Sequence, residues 1–339
     1  MKVFLTGATG YIGGDALASI TSQFPAASIT ALVRDTAKAK PITDKYPHVQ
    51  LQKGDLDSAD VIEAAVRETD VVISMYAANG KHIGVVHTIA NGIRKASRTS
   101  PVSWIQISGA SVLSTPDVVH KRFGEASGHK YNDYGNVSEI VDLIEKSPAR
   151  AVDQAMLSIA RELGSRVRTA ILFPPIIYGL GRGQGNQNSI QIPGLCKVAI
   201  EQKSAVYVGP GAATWGNVHI ADLSSLITTI VGKGQDKDSD PELWNEHGLY
   251  FVQTGEMSWK RIAEIVSQTA QKAQIQAPPK SIDAQEADKT FPHGSILFGT
   301  NAACTPDRAG KLLGYSASQH GLEKEIPESF QRELDAQRA

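Results

Sequence analysis

Cysteine is scarce in this sequence, which has two, Cys196 and Cys304, among 339 residues. They lie far apart, and neither belongs to a C-x-x-C pair. Small disulfide-bonded domains and zinc modules need closely spaced cysteines. The histidines also lack the H-x-x-H and H-E-x-x-H spacings of metal sites. The sequence therefore predicts neither a disulfide framework nor a bound metal.

An excess of charge of one sign is also missing, because 34 basic residues face 35 acidic ones and the net charge is -1. A protein that binds mainly nucleic acid needs a basic surplus, so this class is not expected. No apolar run approaches the roughly 20 residues of a membrane span. The first apolar run stops at Thr6-Gly7, too short for a secretory signal. We therefore expect a cytoplasmic protein without a membrane partner.

The first half of the chain contains a regular alternation of short apolar runs and helical patterns. Six strands are predicted, near residues 2–5, 28–33, 49–52, 70–74, 102–107 and 168–173. Helical spacing of apolar residues predicts four helices, near 11–23, 58–68, 82–97 and 149–163. Strands that alternate with helices form a parallel sheet covered on both faces. The predicted fold class is α/β, a doubly wound parallel sheet of the Rossmann type with a smaller C-terminal α/β domain.

The pattern changes after residue 178. Four glycines within residues 179–185 mark a loop, and the chain stays polar and rich in glycine and proline to about residue 215. Helical patterns return at 221–231, 258–272 and 321–339. We therefore predict a Rossmann domain at 1–178, to which 213–232 returns. A smaller substrate-binding domain is predicted at 179–212 and 233–339.

A glycine-rich turn, Thr6-Gly7-Ala8-Thr9-Gly10-Tyr11-Ile12-Gly13, joins the first strand to the first helix. Gly7 permits a tight turn, Gly10 lets the backbone approach a pyrophosphate, and Gly13 allows the helix to pack closely on the strand. The helix N-terminus offers free N–H groups and a positive dipole end to phosphates. The sequence therefore predicts a dinucleotide site formed by Gly7, Thr9, Gly10, Tyr11, Ile12 and Gly13.

This turn resembles that of the short-chain dehydrogenase/reductase superfamily, in its extended and atypical branches. Those branches include sugar-nucleotide epimerases, dihydroflavonol reductases and NmrA-like proteins. Four further segments carry the resemblance, which runs from residue 2 to about 225: Gly54-Asp55-Leu56, Ile107-Ser108-Gly109-Ala110-Ser111-Val112, Pro174-Pro175-Ile176-Ile177-Tyr178-Gly179 and Val218-His219-Ile220-Ala221-Asp222-Leu223. The resemblance implies that Asp55 and Leu56 lie beside the adenine and that Pro174 lies at the cofactor edge.

The end of the second strand, Val33-Arg34-Asp35, bears on the choice between NADPH and NADH. An acidic residue there binds the ribose hydroxyls, whereas an arginine can bind a 2′-phosphate through its planar fork. Two interpretations are open. Either Arg34 binds the phosphate, or Arg34 is a solvated charge and Asp35 reaches the ribose. The NADPH-using reductases that the chain resembles carry the same Val-Arg-Asp, and we favour NADP(H) as the cofactor.

The resemblance fails at the catalytic centre. Most members use Ser, Tyr and Lys, with the last two in a Y-x-x-x-K motif that this sequence lacks. Alignment from Pro174 puts Lys146 at the Tyr position and Arg150 at the Lys position. Asp153 then matches an acidic residue that usually follows. Arg150 can still hold the nicotinamide ribose, but it cannot move protons because its pKa exceeds about 12.

Another side chain, a water or the substrate would then supply the proton, and the candidate side chains are Ser108, Lys146, Tyr131 and Tyr134. The Ser position of the family falls on Ser108 or on Gly109. A neighbouring cation would lower the pKa of Lys146 and suit it to acid–base work, although we favour the alternative of a solvated lysine. Tyr131 and Tyr134 follow the fifth strand, near the family's active site, and the alternative for them is an ordinary surface loop.

The leading hypothesis is an NADPH-dependent oxidoreductase that reduces a C=O, C=N or activated C=C bond. Its substrate would be a small organic molecule of the secondary-metabolite kind, and its proton donor would be non-standard. One alternative is a regulatory protein that senses NADP(H) without turnover, as among NmrA-like members. Another is a redox-neutral epimerase, isomerase or lyase. Many relatives dimerise through Rossmann helices, so a homodimer is also considered.

Overall fold

A computed structural model describes residues 1–76 and 82–338 of the chain. Its largest sheet has seven strands in the order β11-β7-β5-β4-β1-β2-β3, and every neighbouring pair is parallel. The strands are β1 (Lys2–Thr6), β2 (Ser28–Val33), β3 (Val49–Lys53), β4 (Val71–Ser74), β5 (Val102–Ile107), β6 (Tyr131–Asn132), β7 (Val167–Phe173), β8 (Ile176–Tyr178), β9 (Ala205–Val208), β10 (Thr214–His219), β11 (Leu249–Phe251), β12 (Gly255–Ser258), β13 (Pro279–Ile282) and β14 (Cys304–Thr305).

Helices connect these strands. They are α1 (Tyr11–Gln23), α2 (Thr36–Lys45), α3 (Ala59–Arg67), α4 (Ile83–Lys95), α5 (Thr115–His120), α6 (Val137–Lys146), α7 (Ala151–Leu163), α8 (Gln191–Gln202), α9 (Ile220–Lys233), α10 (Trp259–Lys272), α11 (Ala284–Thr290), α12 (Gly294–Gly299), α13 (Asp307–Leu313) and α14 (Leu322–Arg338). Within the described ranges, none of them combines the length and the apolar character needed to cross a membrane.

The seven-stranded sheet is apolar on both faces because successive side chains of a strand point to opposite sides. In β1, Val3 and Leu5 pack with α1 and α9, whereas Phe4 packs with α3 and α4 on the other face. In β5, Ile105 lies on the same face as Val3 and Leu5, and Trp104 lies on the same face as Phe4. Helices therefore cover both faces, and the predicted doubly wound α/β sheet is confirmed.

The strand β11 corrects the predicted division of the chain. Leu249 pairs with Ile171 and Phe251 with Phe173, so this segment extends the large sheet beyond β7. The sequence pattern placed all of 233–339 in the smaller domain. The apolar run at 249–252 has four residues, which are compatible with a strand but do not show which sheet it joins, and pairing with β7 reveals this.

The smaller part of the molecule is built from short strands and three packed helices. β10 pairs with β8 in parallel and with β12 antiparallel, while β9 pairs with β13 and β6 with β14. The helices α8, α10 and α14 pack together beside β9. Trp215 and Trp259 are buried there, with ring centroids 5.8 Å apart. Their neighbours form one continuous apolar cluster with the α3–α4 face of the large sheet.

Candidate active site

The turn after β1 has the backbone geometry that its glycines predict. Gly7 has φ +74, and a Cβ there would lie 2.7 Å from the carbonyl oxygen of Met75. A Cβ on Gly13 would lie 2.2 Å from the carbonyl oxygen of Gly7, so α1 packs directly on the turn. Gly10 precedes the first residue of α1, and no side chain caps this helix. The helix start therefore offers uncapped N–H groups, which suit an anion such as a pyrophosphate.

A cleft of about 470 Å³ opens from this turn across the carboxyl ends of β1, β2, β3 and β4. Its lining includes five of the predicted cofactor residues, Gly7, Thr9, Arg34, Asp55 and Leu56. Ligands of open α/β sheets bind at this edge. The cradle of glycines at one end and the charged rim at the other fit an extended dinucleotide.

Arg34 and Asp35, at the end of β2, have different roles in the structure. One oxygen of Asp35 accepts the N–H groups of Ala37 at 2.9 Å and Lys38 at 3.1 Å, and thereby caps α2. Arg34 is exposed at the cleft, and its guanidinium makes no hydrogen bond or ion pair with another described residue. Of the two residues, Arg34 lines the cleft and Asp35 does not.

Asp55 lies on the same cleft at the start of the loop before α3. Its side chain accepts hydrogen bonds from the hydroxyl of Ser58 at 2.8 Å and the N–H of Asp57 at 3.1 Å. These bonds, that from Ser58 first, hold the pKa of this exposed carboxyl below its usual value. Asp55 is therefore an ionised acceptor at the cleft, held by two hydrogen bonds.

The glycine-rich loop after β8 packs on the dinucleotide turn. A Cβ on Gly185 would lie 2.1 Å from the carbonyl oxygen of Thr9, and one on Gly183 would lie 2.8 Å from Gly14. The side chain of Arg182 makes two bonds to the buried carboxylate of Asp15 in α1, at 2.6 and 3.1 Å. Residues 181–187 are therefore anchored to α1.

Two further predicted cofactor residues help to fix these segments. The hydroxyl of Tyr11 donates to the carbonyl oxygen of Gly179 at 2.6 Å, which ties α1 to the chain after β8. Ile12 is half-buried and packs against the core beneath α1. Both side chains thus contribute to the structure around the turn.

A half-buried serine and a buried aspartate form a pair where β5 ends. The Ser108 hydroxyl donates to Asp153 Oδ2 at 2.8 Å. The Arg150 guanidinium lies 3.9 Å from the same oxygen and donates to the Ser111 hydroxyl at 2.7 Å. Backbone bonds from Ser108 to Leu172 and from Ala110 to the carbonyl oxygen of Pro174 hold this segment against the end of β7. The structure thus brings together Ser108, Arg150 and Pro174 of the predicted site.

Asp153 is fully buried in α7, and its environment favours the neutral carboxyl group. Burial raises the pKa of Asp153 to about 6, although Arg150 and the Ser108 hydroxyl act in the opposite direction. Its second oxygen, Oδ1, has no hydrogen-bond partner among the described residues. From the sequence, Asp153 is only an aligned acidic residue, because nothing in its local pattern reveals that it lies behind Ser108.

Lys146 is not part of this arrangement. It ends α6 with its side chain 74% exposed and paired with Asp142 at 2.9 Å. The Gln154 side chain donates to the carbonyl groups of Ile144 and Ser147, which fixes the end of α6 and leaves Lys146 at the surface. The catalytic role considered for Lys146 is therefore corrected, and the solvated lysine that the sequence favoured is the observed one.

The two candidate tyrosines have different surroundings. Tyr134 is exposed and lies under the cationic groups of Lys311 and Arg308, so it belongs to the surface around α13. Tyr131 is buried in β6, with the ring of His129 at 4.4 Å. Burial raises its pKa above the ordinary value. Tyr131 lines a second cavity of about 210 Å³, together with Leu113, Pro116, Asp117, Arg122, Ser127, His129, Asn301 and Ala303.

One group of histidine and carboxylate side chains in the described part of the chain has its ligand atoms within 4.8 Å of one another. It comprises His219, His320 and Glu325. Nδ1 of His219 accepts the N–H of Ala221 at 3.1 Å, so the neutral ring carries its proton on the other nitrogen. Arg332 already contacts the carboxylate of Glu325. These contacts form a hydrogen-bonded network that ties α14 to α9, and they give a metal no free ligand set.

The chain is similar to several known proteins. A family model described as NAD(P)H-binding matches residues 7–147. The oxidase ucsJ of Acremonium sp is 33% identical, with 98% of each chain covered. An uncharacterized protein of Saccharomyces cerevisiae is 23% identical and covers 97% of this chain and 99% of its own.

Solved structures share the fold. A dTDP-glucose 4,6-dehydratase from Streptomyces venezuelae, with NAD bound, has a TM-score of 0.69 at 14% identity and covers 100% of this chain and 98% of its own. A UDP-glucuronic acid 4-epimerase from Bacillus cereus has a TM-score of 0.66 at 14% identity, with 99% and 100% covered. Fold and cleft thus define a nicotinamide-dinucleotide-binding α/β protein. The chain belongs to the short-chain dehydrogenase/reductase superfamily.

Proposed function

We propose that the protein is an NADP(H)-dependent oxidoreductase that reduces a C=O, C=N or activated C=C bond of a small organic molecule. The observation that carries the proposal is that Arg34 lines the cleft while Asp35 caps α2. The same proposal includes action in the cytoplasm on a small-molecule substrate, without a nucleic-acid or membrane partner.

The preference for NADP(H) rests on which side chain lines the cleft at the end of β2. In NAD-specific proteins an acidic residue near this position accepts hydrogen bonds from the ribose hydroxyls. Here Asp35 already accepts two backbone N–H groups in capping α2. Arg34 remains at the cleft as a permanent cation with a planar fork of donors, which matches a 2′-phosphate.

The residues around Ser108 suit reduction of a polarised double bond. When bound, NADPH would supply the hydride. The buried Arg150 would hold the nicotinamide ribose in place of the usual lysine. The half-buried hydroxyl of Ser108 would bind the heteroatom of the substrate.

Two further observations favour an enzyme over a sensor of the cofactor. The cavity of about 210 Å³ at Tyr131 is bordered by the segment that follows Ser108, and its size suits part of a small molecule. The relative from Acremonium sp that matches along its whole length is named an oxidase, which supports redox chemistry.

The cofactor assignment is tested by fluorescence titration of the protein with NADPH and NADH. Arg34→Ala should weaken NADPH binding by about 10- to 100-fold, because a hydrogen-bonded charge contributes about 1.5–3 kcal/mol. Binding of NADH should change little. Lys272→Ala, which removes a positive charge at the end of α10, serves as the control and should bind both cofactors like the unmodified protein. An unmodified protein that prefers NADH contradicts the assignment.

Turnover is tested with a panel of ketones, imines and enones while the loss of reduced cofactor is followed. Oxidation of NADPH that depends on one of these acceptors supports the reductase. Tight NADPH binding without turnover on any of them instead favours the regulatory alternative.

A further inference from the structure

The pair formed by Ser108 and Asp153 has features that a purely structural contact does not need. The Ser108 hydroxyl is half-buried at the carboxyl end of β5, whereas Asp153 lies behind it with no exposed surface. The two groups are joined by a hydrogen bond of 2.8 Å. A proton held on Asp153 can therefore pass to the partly exposed serine hydroxyl, which both donates and accepts.

The surroundings of Asp153 stabilise its protonated form without preventing ionisation. Oδ1 lacks a hydrogen-bond partner among the described residues, which is costly for a buried carboxylate. Arg150 stands 3.9 Å from Oδ2, close enough to stabilise the negative charge that appears when the proton leaves. The neighbouring segments contribute the neutral hydroxyls of Ser108 and Ser111. Arg150 is thus the charged side chain that acts on Asp153 from the packed elements.

We propose that Ser108 and Asp153 form a proton relay that replaces the missing tyrosine, with Ser108 in contact with the substrate and Asp153 as the proton store behind it. This inference rests on the proposed function and assigns the acid that the reductase needs. Ser108 is the catalytic residue of the pair, and Asp153 is a positioning residue that acts through it.

The reaction balances with these groups. The carbon of the C=X bond gains a hydride, and the π electrons move to the heteroatom X, which takes the hydroxyl proton of Ser108. Ser108 recovers a proton from the Asp153 carboxyl group in the same event, so no free alkoxide forms on the serine. Asp153 is left as a carboxylate beside Arg150, and after the product leaves it regains a proton from solvent through the Ser108 hydroxyl. The products are HC–XH and oxidised dinucleotide.

The test is the pH profile of reduction in matched variants. Because burial raises the pKa of Asp153 to about 6, the rate of reduction should fall as pH rises above about 6. Asp153→Asn should lower kcat by about 100-fold or more and remove this pH dependence, since an amide stores no proton. Ser108→Ala should lower kcat to a similar extent. NADPH affinity should be unchanged in both variants, which also shows that they are folded.

Asp133→Asn is the control, because Asp133 is a second buried aspartate whose pKa burial raises to about 6. It accepts the backbone N–H groups of Phe251 and Arg308 and belongs to a different part of the fold. This variant should keep both the rate and the pH profile of the unmodified protein. Loss of the pH break in Asp133→Asn would overturn the assignment to Asp153.

An independent readout uses infrared spectra of the cofactor-free protein across the same pH range. Two carboxyl C=O bands should disappear above about pH 6, one from Asp153 and one from Asp133. The Asp153 band should be absent from Asp153→Asn alone, the Asp133 band should be absent from Asp133→Asn alone, and Ser108→Ala should show both. If the spectra of the variants do not differ in this way, the relay is overturned. An unchanged pH break in an active Asp153→Asn variant overturns the relay but leaves the proposed function standing. A protein that shows the Asp153 band but reduces no substrate overturns the proposed function and the relay together. If Asp153→Asn does not fold, Ser108→Ala carries the kinetic test, and full activity of that variant overturns the relay.

Discussion

At the scale of single residues, Gly10 and Gly13 occupy equivalent places in the glycine pattern but restrict side chains for different reasons. A Cβ on Gly13 would meet the Gly7 carbonyl at 2.2 Å, whereas one on Gly10 would lie 3.2 Å from it. The backbone of Gly10, with φ -85 and ψ 171, suits any residue. Gly13 is therefore required by the packing of the turn, and Gly10 is required by the ligand that approaches it.

This difference predicts opposite phenotypes for two alanine variants. Gly13→Ala should lower the free energy of unfolding by about 1–3 kcal/mol, because the backbone of the turn must move. Gly10→Ala should leave stability nearly unchanged and weaken NADPH binding by about tenfold or more, since its methyl group occupies the approach to the pyrophosphate. Urea unfolding and fluorescence titration separate the two effects. Equal losses of stability in both variants would contradict this account.

The sequence predicted residues whose role depends on local geometry, and it missed those whose role depends on distant partners. The tasks of Gly7 and Gly13 follow from their positions in the turn, and the structure bears both out. Asp153 received no role because its contact with Ser108 joins α7 to the end of β5. The local proximity of Lys146 and Arg150 suggested an acid, but the bonds that Gln154 makes direct Lys146 outward.

At the scale of elements, helices and strands with strong apolar patterns were predicted well. α1, β2 and β5 begin and end where the sequence placed them. The helices α2 and α8 were missed, since Pro41 lies inside one and Pro193 with Gly194 inside the other. Proline and glycine disfavour helices locally, and capping by Asp35 or burial against α10 and α14 overcomes that preference.

The anchoring of residues 181–187 to α1 gives a prediction at this scale. Arg182→Ala leaves the buried carboxylate of Asp15 without its main partner and should lower the free energy of unfolding at neutral pH by about 2 kcal/mol. Arg261→Ala is a matched control, because Arg261 is equally exposed but pairs with the surface residue Glu323. That control should cost less than about 1 kcal/mol. Equal losses in both variants would contradict the anchoring role.

The pH dependence of the Arg182→Ala effect follows from the sign of the Asp15 shift. Burial acts to raise the pKa of Asp15, but the bonds from Arg182 outweigh it and hold the pKa below its usual value. The stabilisation is then present above the unfolded-state pKa of about 3.9 and is lost as pH falls through the lower folded-state value. The difference between Arg182→Ala and the unmodified protein should therefore shrink in acid. Denaturant unfolding at several pH values measures it.

At the scale of the whole molecule, one apolar cluster extends from the large sheet into the C-terminal helices. Phe4 of β1 and Phe330 of α14 both belong to it. The sequence predicted two domains from a change in pattern, but it could not show that their cores are continuous, because this depends on how α8, α10 and α14 pack. The pairing of β11 with β7 is a further connection between the C-terminal half of the chain and the large sheet.

A shared core predicts that both parts unfold together. Phe330→Ala should lower the free energy of unfolding by about 3–5 kcal/mol, and the dinucleotide site should be lost in the same transition as the C-terminal helices. Val119→Ala, at an apolar residue that is 68% exposed, should change stability by less than about 0.5 kcal/mol. Tryptophan fluorescence and NADPH binding, followed across one denaturant series, compare the transitions. Separate midpoints for the two probes would contradict a shared core.

The late return of β11 also has a consequence for how the chain is made. During synthesis on the ribosome, β7 emerges well before residues 249–251, which pair with it. Until then the apolar strand Val167–Phe173 is an open edge, able to pair with strands of other nascent chains. The interval between the emergence of β7 and β11 is thus the period in which a growing chain most needs chaperone protection. A fragment that ends before residue 249 lacks β11, so the edge of its β7 strand stays unpaired.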